Sequence, residues 1–262
     1  NSNNQGRNRM NDKWTSECGT VTLYLGDCLE VLPTLEAGSV DAVVTDPPYI
    51  IGAISTGTEN AKCGTWADMQ NASYWFSEWF ALSKKTLRNT GYLSLCGNWR
   101  SIPTILCGLS RVKWSATSCV IWDKQWIGPA YTNAFRPTYE LAIVAAMQDA
   151  TIPDRSASDL FRGEKWCAGH SKTTKHPAEK PVDFMSYLVR NLSPERGLVV
   201  DPFMGSGTTG VSAIHDGRRF IGIEMDESNY AEARGRIQDE LKKVAFLEPK
   251  PRGVQQRTLL DE

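Results

Sequence analysis

The sequence predicts a doubly wound α/β fold built on a mostly parallel sheet. Short apolar runs alternate along the chain with longer helical stretches, a pattern typical of a parallel sheet that is covered on both faces. Hydrophobic residues make up 41% and charged residues 23% of the 262 residues, which is ordinary for a globular protein. No apolar run approaches the ~18 residues of a membrane-spanning helix, and the polar N-terminus does not resemble a secretory signal.

The individual elements follow from β-branched runs, helical periodicity and turn residues, taken in chain order. We expect strands at residues 21–25, 40–45, 91–96, 119–122, 140–145, 197–200 and 220–223, and helices at residues 28–35, 72–89, 181–191, 208–215 and 228–242. The strand at 40–45 ends before Pro47 and Pro48, because proline cannot continue a central ladder. Residues 50–65 predict a glycine-rich loop and residues 148–176 a polar, loop-like stretch.

These elements predict a single domain at residues 17–247, with an insertion at 123–175. Residues 1–16 predict a flexible leader, and residues 248–262 predict a loose tail. Since Asn1 cannot be a natural initiator, Met10 is the expected start of translation.

Charge and cysteine content exclude several classes of protein. The chain has 29 Lys and Arg against 30 Asp and Glu, a net charge of -1, so any polyanion site must be a local basic groove. The 7 cysteines are odd in number and none are spaced C-x-x-C, which argues against a zinc site and a disulfide framework. We therefore expect a reducing, cytoplasmic-type compartment.

A glycine-rich turn follows the predicted strand at 197–200. Gly205, Gly207 and Gly210 have the spacing of the dinucleotide fingerprint, and Glu224 ends the next strand, where a carboxylate can bind ribose hydroxyls. The backbone N–H groups of a helix that begins in such a turn attract an anionic ligand group. The turn lacks the lysine of a Walker A phosphate loop, so it indicates a nucleoside cofactor of another kind.

Two cofactor classes remain open from this turn alone. A nicotinamide dehydrogenase has the same glycine spacing. Asp201, however, places a carboxylate at the strand tip, where it would repel a pyrophosphate. An acidic tip suits a cationic ligand, such as the amino and sulfonium groups of S-adenosylmethionine.

The tetrad Asp46-Pro47-Pro48-Tyr49 stands at the carboxyl end of a predicted buried strand, where open α/β sheets place their ligands. Two prolines fix the backbone, so the Asp46 carboxylate and the Pro47 carbonyl can be held at a set separation. Two such acceptors suit an amino group with two N–H donors, and Tyr49 offers a flat face for a planar ring. The alternative is a strand-ending turn with a capping aspartate.

Four motifs together resemble the set found in DNA amino-methyltransferases. They are the tetrad at 46–49, the glycine turn at 201–209, Leu-Gly-Asp at 25–27 and His-Pro-Ala-Glu-Lys-Pro at 176–181. Their order resembles the beta class, a circular permutation of the common methyltransferase order, and the resemblance covers residues 20–242. It implies a Rossmann-like methyltransferase fold whose strands bring Asp46 and Asp201 side by side.

The resemblance implies site-specific transfer of a methyl group from S-adenosylmethionine to the exocyclic amine of a flipped base. Asp46, Pro47, Pro48 and Tyr49 are the implied catalytic residues, and neither a metal nor a covalent intermediate is required. Aspartate at the first tetrad position is commoner for N6-adenine and serine for N4-cytosine, so adenine is expected and cytosine is the alternative. The implied partner is double-stranded DNA, in a prokaryotic or phage-encoded restriction-modification setting, with the enzyme a monomer or a homodimer.

The implied cofactor contacts surround the strand tips and the glycine turn. They are Asp27, Cys28, Asp46, His176, Lys180, Asp201, Phe203, Gly205, Ser206, Gly207, Thr208 and Glu224. Asp27 with Glu30 also matches a helix capping box, and the two roles are compatible. For His176 and Lys180 the alternative is a solvated loop before a helix.

The segment between Trp122 and Lys175 corresponds to the part that reads DNA sequence in this family. Its basic residues are interleaved with aromatic ones, and they suit phosphates and guanine edges. The candidate DNA contacts are Lys124, Arg136, Arg155, Arg162, Lys165, Lys172 and Lys175. A polar surface loop is the alternative for each of them, and a nicotinamide oxidoreductase or a DNA-binding relic without activity is the alternative for the whole chain.

Overall fold

The computed structural model describes residues 12–48, 66–127, 135–164 and 179–247. Its strands are β1 (Asp12–Thr15), β2 (Val21–Leu25), β3 (Val40–Thr45), β4 (Leu87–Gly97), β5 (Ala116–Asp123), β6 (Tyr139–Ala146), β7 (Leu160–Arg162), β8 (Leu198–Asp201) and β9 (Arg219–Glu224). Its helices are α1 (Cys28–Val31), α2 (Trp66–Thr86), α3 (Ile102–Arg111), α4 (Val182–Leu192), α5 (Thr208–His215) and α6 (Glu227–Leu247), and a single 3-10 turn, Leu32–Thr34, follows α1.

Within these residues the strands form one sheet in the order β1-β2-β9-β8-β3-β4-β6-β5-β7. The five strands from β2 to β4 are mutually parallel. β6 runs antiparallel to both β4 and β5, β7 pairs parallel with β5, and β1 closes the other end antiparallel to β2. The mostly parallel, doubly wound sheet that the sequence predicts is confirmed.

The direction of winding changes between β8 and β3. The chain leaves β3 through α2 and returns in β4 on one side, whereas it leaves β8 through α5 and returns in β9 on the other side. Loops that follow two such neighbouring strands diverge and leave a crevice at their carboxyl ends, where open α/β sheets bind ligands. The fold therefore places its crevice between the ends of β8 and β3.

Helices cover both faces of the sheet. One buried cluster joins the sheet to α4, α5 and α6, and a second joins it to α1, α2 and α3. In β3, Ala42 and Val44 enter the first cluster while Val43 enters the second, which is the alternation expected of a strand buried on both faces. No helix in the described ranges combines the length and the apolarity that crossing a membrane requires.

The structure contains three elements that the sequence does not predict: β1, α3 and β7, the last within the expected loop at 148–176. Residues 12–15, expected in the leader, form β1, where the half-buried Trp14 packs against the α4–α6 cluster. Helix α3 was not expected, because Pro103 and Gly108 interrupt its pattern. Proline is tolerated in a first helical turn, and at Gly108 a Cβ would lie 2.8 Å from the Phe76 Cβ, so glycine lets α3 approach α2 closely.

Trp122 of β5 and Phe184 of α4 join the antiparallel end of the sheet to its helix layer. Both side chains are buried, and their rings stack with centroids 5.2 Å apart. We expect Trp122→Ala to lower the free energy of unfolding by about 3–5 kcal/mol, because it removes the ring and leaves a cavity. Urea denaturation measures the change.

The matched control is Phe246→Ala near the end of α6, since Phe246 is 88% exposed. This variant should change the free energy of unfolding by no more than about 0.5 kcal/mol. Equal losses in the two variants would show that Trp122 does not anchor β5 to α4.

Candidate active site

Acidic side chains stand at the carboxyl ends of four neighbouring parallel strands. Asp27 follows β2, Glu224 ends β9, Asp201 ends β8 and Asp46 follows β3. The Thr45 hydroxyl donates to Asp201 Oδ1 at 2.6 Å, so the tips of β3 and β8 are joined directly. The two segments that carry Asp46 and Asp201, far apart in the chain, thus meet at one edge of the sheet.

The glycine turn after β8 is held by hydrogen bonds from both sides. Phe203 N donates to Asp201 Oδ1 at 3.0 Å, and Gly205 N donates to Glu224 Oε2 at 2.8 Å. Gly207, the N-cap of α5, has φ +81°, and a Cβ there would lie 2.9 Å from the Ala233 Cβ of α6. Both the backbone conformation and the space at this position therefore require glycine.

A half-buried arginine of α6, Arg236, supports the same turn. Arg236 donates to the Ser206 carbonyl at 2.6 Å and to Thr208 Oγ1 at 3.2 Å. Its other nitrogen donates to Glu179 Oε1 at 3.1 Å, and the Glu179 side chain is only 2% exposed. Arg236 was not a candidate from the sequence, because nothing in an ordinary helix pattern marks one arginine as the brace of a distant turn.

At the tip of β2, Asp27 caps α1. Its Oδ1 accepts from Leu29 N at 2.8 Å, which is the capping role considered for this residue. The Cys28 side chain is 3% exposed within the α1–α3 cluster, and burial, together with the Asp27 charge, raises the pKa of its thiol to about 12. Contacts of Asp27 and Cys28 with a cofactor stay predictions. Because the Cys28 side chain is buried, such a contact would be made by its backbone.

Burial dominates the electrostatics of Asp201. It raises the pKa of this carboxyl from 3.8 to about 6, against the lowering effect of hydrogen bonds from Thr209, Thr45 and the Phe203 backbone. The nearby Asp46 charge adds to the rise. A cationic ligand group close to Asp201 would stabilise its anionic form, so the site favours positive charge.

Lys180 connects Asp46 to a residue that sequence reasoning missed. Its Nζ donates to Asp46 Oδ2 at 2.5 Å and lies 3.3 Å from Glu140 Oε2, while Lys124 Nζ donates to Glu140 Oε1 at 2.5 Å. Burial alone would raise the pKa of Glu140, but the Lys180 and Lys124 ammonium groups hold it below its ordinary value. The only sequence signal for Glu140 is a carboxylate in the otherwise apolar run of β6.

A cleft of about 40 Å³ lies among Asp46, Lys180, Asp201, Phe203 and Ser206. A larger cavity, of about 610 Å³, is lined by residues of β4, β5, β6 and α4 and contains none of the predicted site residues. Because the chemistry-bearing side chains converge on the smaller cleft, we assign the site there. In the described ranges, no group of three or more His, Cys, Asp or Glu side chains could hold a metal ion.

The candidate DNA contacts fall into different surroundings. Arg162 is exposed and pairs with Asp123 Oδ2 at 2.9 Å, Arg136 is exposed and donates to the Ile127 carbonyl at 3.2 Å, and Arg155 is exposed in the turn before β7. Lys124 is instead engaged with Glu140. Tyr49, Lys165, Lys172, Lys175 and His176 lie outside the described residues.

The sequence also did not single out Trp99, an exposed aromatic residue at the carboxyl edge of the sheet. Trp99 follows β4, is 58% exposed and lies 4.8 Å from the Arg100 guanidinium, measured to the ring centroid. Asn98 Oδ1 accepts from Arg100 N at 2.9 Å and from Ser101 N at 3.2 Å, which fixes this turn. The edge that carries Asp46 therefore also presents an aromatic ring and a cation to solvent.

Comparisons with known proteins bear on the same residues. A family model described as DNA methylase matches residues 40–234. The type II methyltransferase M2.MboI of Moraxella bovis is 24% identical over 239 residues, covering 83% of this chain and 88% of that relative. Among solved structures, the M1.HpyAVI–SAM complex aligns with a TM-score of 0.61 and 24% identity over 82% of this chain and 99% of that one. The cytosine-N4-specific PvuII DNA methyltransferase aligns with a TM-score of 0.67 and 18% identity over 88% of this chain and 93% of that one.

The raised pKa of Asp201 predicts a pH-dependent stability. Between pH 4 and 6 the folded state keeps a proton on this carboxyl that the unfolded state has already lost. The stabilisation from Asp201 is therefore present below pH 4 and is lost as the pH rises through about 6. We expect the free energy of unfolding of the wild type, relative to Asp201→Asn, to fall across this window in urea titrations.

Asp239→Asn on α6 controls for the loss of one negative charge, because its side chain is 67% exposed. A wild-type difference from Asp201→Asn that stays flat or grows with pH would contradict the assignment of a desolvated carboxyl at this strand tip.

Proposed function

The chain belongs to the DNA methylase family, whose model matches residues 40–234, and we propose that it transfers a methyl group from S-adenosylmethionine to the exocyclic amine of adenine in DNA. The family membership confirms the resemblance seen in the four motifs. It favours this family over the alternative of a nicotinamide oxidoreductase. The observation that supports the proposed chemistry most is the junction of β3 and β8, where Asp46 and Asp201 share one cleft.

The residues after β3 suit the activation of an amine. An exocyclic amino group on a nucleobase is a weak nucleophile, because its lone pair is delocalised into the ring. The Asp46 carboxylate and the Pro47 carbonyl accept its two N–H groups, which localises the lone pair on nitrogen. Pro47 and Pro48 keep these acceptors in place, so positioning and electrostatics carry the catalysis.

The cleft fits the cationic methyl donor by its charge. Asp201 and Asp46 make it acidic, and the backbone N–H groups at the start of α5 and the Glu224 carboxylate line the glycine turn. Phe203 forms an apolar wall, with its ring 5.3 Å from Trp75 and 5.2 Å from Trp79. When bound, S-adenosylmethionine supplies the methyl group from a sulfonium that departs as a neutral thioether. The remaining predicted contacts also belong to this proposal, namely Asp27, Cys28, His176, Lys180, Gly205, Ser206, Gly207 and Thr208.

The acceptor base must leave the duplex, because its amine is unreachable inside the stack. We assign the carboxyl edge of the sheet to DNA, since Trp99, Arg100, Arg136 and Arg162 are presented there or on adjoining segments. Tyr49 is proposed to stack on the extruded base, a contact worth ~1–3 kcal/mol. Lys165, Lys172 and Lys175 are proposed phosphate contacts.

Removal of the Asp46 carboxylate tests the proposed chemistry. We expect Asp46→Ala to lower methyl transfer by roughly 10²–10³-fold or more, because one of the two acceptors for the amine is lost. Binding of S-adenosylmethionine, measured by calorimetry, should persist. Asp46→Asn keeps the shape beside Lys180 and controls for damage to the fold, and an Asp46→Ala protein with full activity would refute the assignment.

The identity of the base is tested by mass analysis of nucleosides from methylated DNA. We expect N6-methyladenine, because aspartate stands first in the tetrad and this residue is the commoner one for adenine acceptors. N4-methylcytosine would establish the alternative acceptor, which the name of the PvuII neighbour also carries. Methyl transfer to RNA or protein without any transfer to DNA would overturn the proposed function.

A further inference from the structure

Four charged side chains of alternating sign form a row that ends at Asp46. The row is Lys124, Glu140, Lys180 and Asp46, with N–O separations of 2.5 Å, 3.3 Å and 2.5 Å along it. Lys124 follows β5, Glu140 is the second residue of β6, Lys180 lies two residues before α4, and Asp46 follows β3. No single element produces this arrangement, so it exists only in the folded chain.

Lys180 is the cation between the two carboxylates of this row. Its side chain is 6% exposed, and a buried ammonium group must be compensated by anionic partners. It contacts one carboxylate on each side, so its charge is divided between Asp46 and Glu140. Glu140 is held in turn by Lys124, whose Nζ also lies 5.1 Å from the centroid of the Trp122 ring.

The division of charge matters for the acceptor role of Asp46. Titratable groups face this part of the cleft from every neighbouring element: Glu179 and Lys180 before α4, Asp201 on β8, Glu140 on β6 and, on β4, the Cys96 thiol, whose pKa burial raises well above its ordinary value. If Glu140 lost its charge, the full positive charge of Lys180 would act on Asp46. Asp46 would then be a poorer acceptor for the N–H of a neutral amine.

We propose, on the basis of the proposed methyl transfer, that Glu140 is a positioning residue for the reaction. It holds the Lys180 ammonium and takes part of its charge, so that Asp46 remains a strong acceptor for the target amine. Lys124 holds Glu140 in this position through its ion pair. Its role is therefore within the active site, and it does not contact a DNA phosphate.

Glu140→Gln tests this role, because glutamine keeps the shape and a hydrogen-bonding oxygen while it removes the charge. We expect kcat to fall by roughly 10–100-fold, the scale seen when a hydrogen-bonding partner that orients a metal ligand is removed. The KM for S-adenosylmethionine should stay unchanged. The acidic limb of the pH dependence of kcat should move to lower pH, because Asp46 then faces an undivided ammonium charge. A merely structural role would not shift this limb.

Glu240→Gln on α6 is the matched control. Its side chain is also largely shielded from solvent, at 10% exposure. Glu240 lies away from the cleft and pairs with Lys243, with 3.0 Å between Oε2 and Nζ. This variant should keep the wild-type kcat and pH dependence. An unchanged kcat and pH dependence in Glu140→Gln, or a loss of kcat matched by Glu240→Gln, would overturn the positioning role.

Lys124→Gln separates the two roles considered for that lysine. As a member of the row it should lower kcat and leave the salt dependence of DNA binding unchanged. A phosphate contact would instead reduce the slope of log affinity against log salt by about 1, and this result would overturn the role of Lys124 in the row.

DNA methylation by the wild type is measured first. An inactive wild type would refute the proposed function, whereas an active wild type and an equally active Glu140→Gln variant would refute only the positioning role.

Discussion

The parallel pairing of β3 with β8 is the constraint on which the rest of the site depends. It joins segments from opposite ends of the chain and aligns their carboxyl ends, so that the Thr45 hydroxyl can bond to the Asp201 carboxylate. The chain winds in opposite directions from the two strands, and open α/β sheets bind their ligands at such a point. A cleft between the residues that follow β3 and the glycine turn that follows β8 is a consequence of this topology, and the permuted order of the motifs does not alter it.

Several carboxylates lie close together at this edge of the sheet, and two cations offset the repulsion between them. Asp201 is desolvated, and Asp46 and Glu179 lie near it around the same cleft. Lys180, just before α4, pairs with Asp46, and Arg236 of α6 pairs with Glu179. Buried ion pairs of this kind add little stability on their own, but they fix the position of each partner. The layer of α4 and α6 thus takes part in the geometry of the site.

The sequence was sufficient for the features that depend on local chemistry. Apolar strands, the two prolines after Asp46 and the glycine turn follow from backbone conformation and periodicity, and they located the main strands and the sheet edge of the site. Glu140 and Arg236 could not be predicted, because their roles arise from contacts between distant elements. β1 was not predicted because its four residues, Asp12–Thr15, contain no apolar run that would mark a strand. Lys124 shows the same limit: the sequence marks it only as a lysine in a basic segment, and its ion pair with Glu140 is visible only in the folded chain.

The two outermost strands of the sheet have a consequence beyond the site. In the described part of the chain, β1 has 4 residues and β7 has 3, and they occupy the two ends of the sheet. Without β1, the longer and more apolar β2 would expose a row of unpaired backbone groups to other chains. Short terminal strands give an incoming strand little to add to, so these seven residues guard against edge-to-edge aggregation.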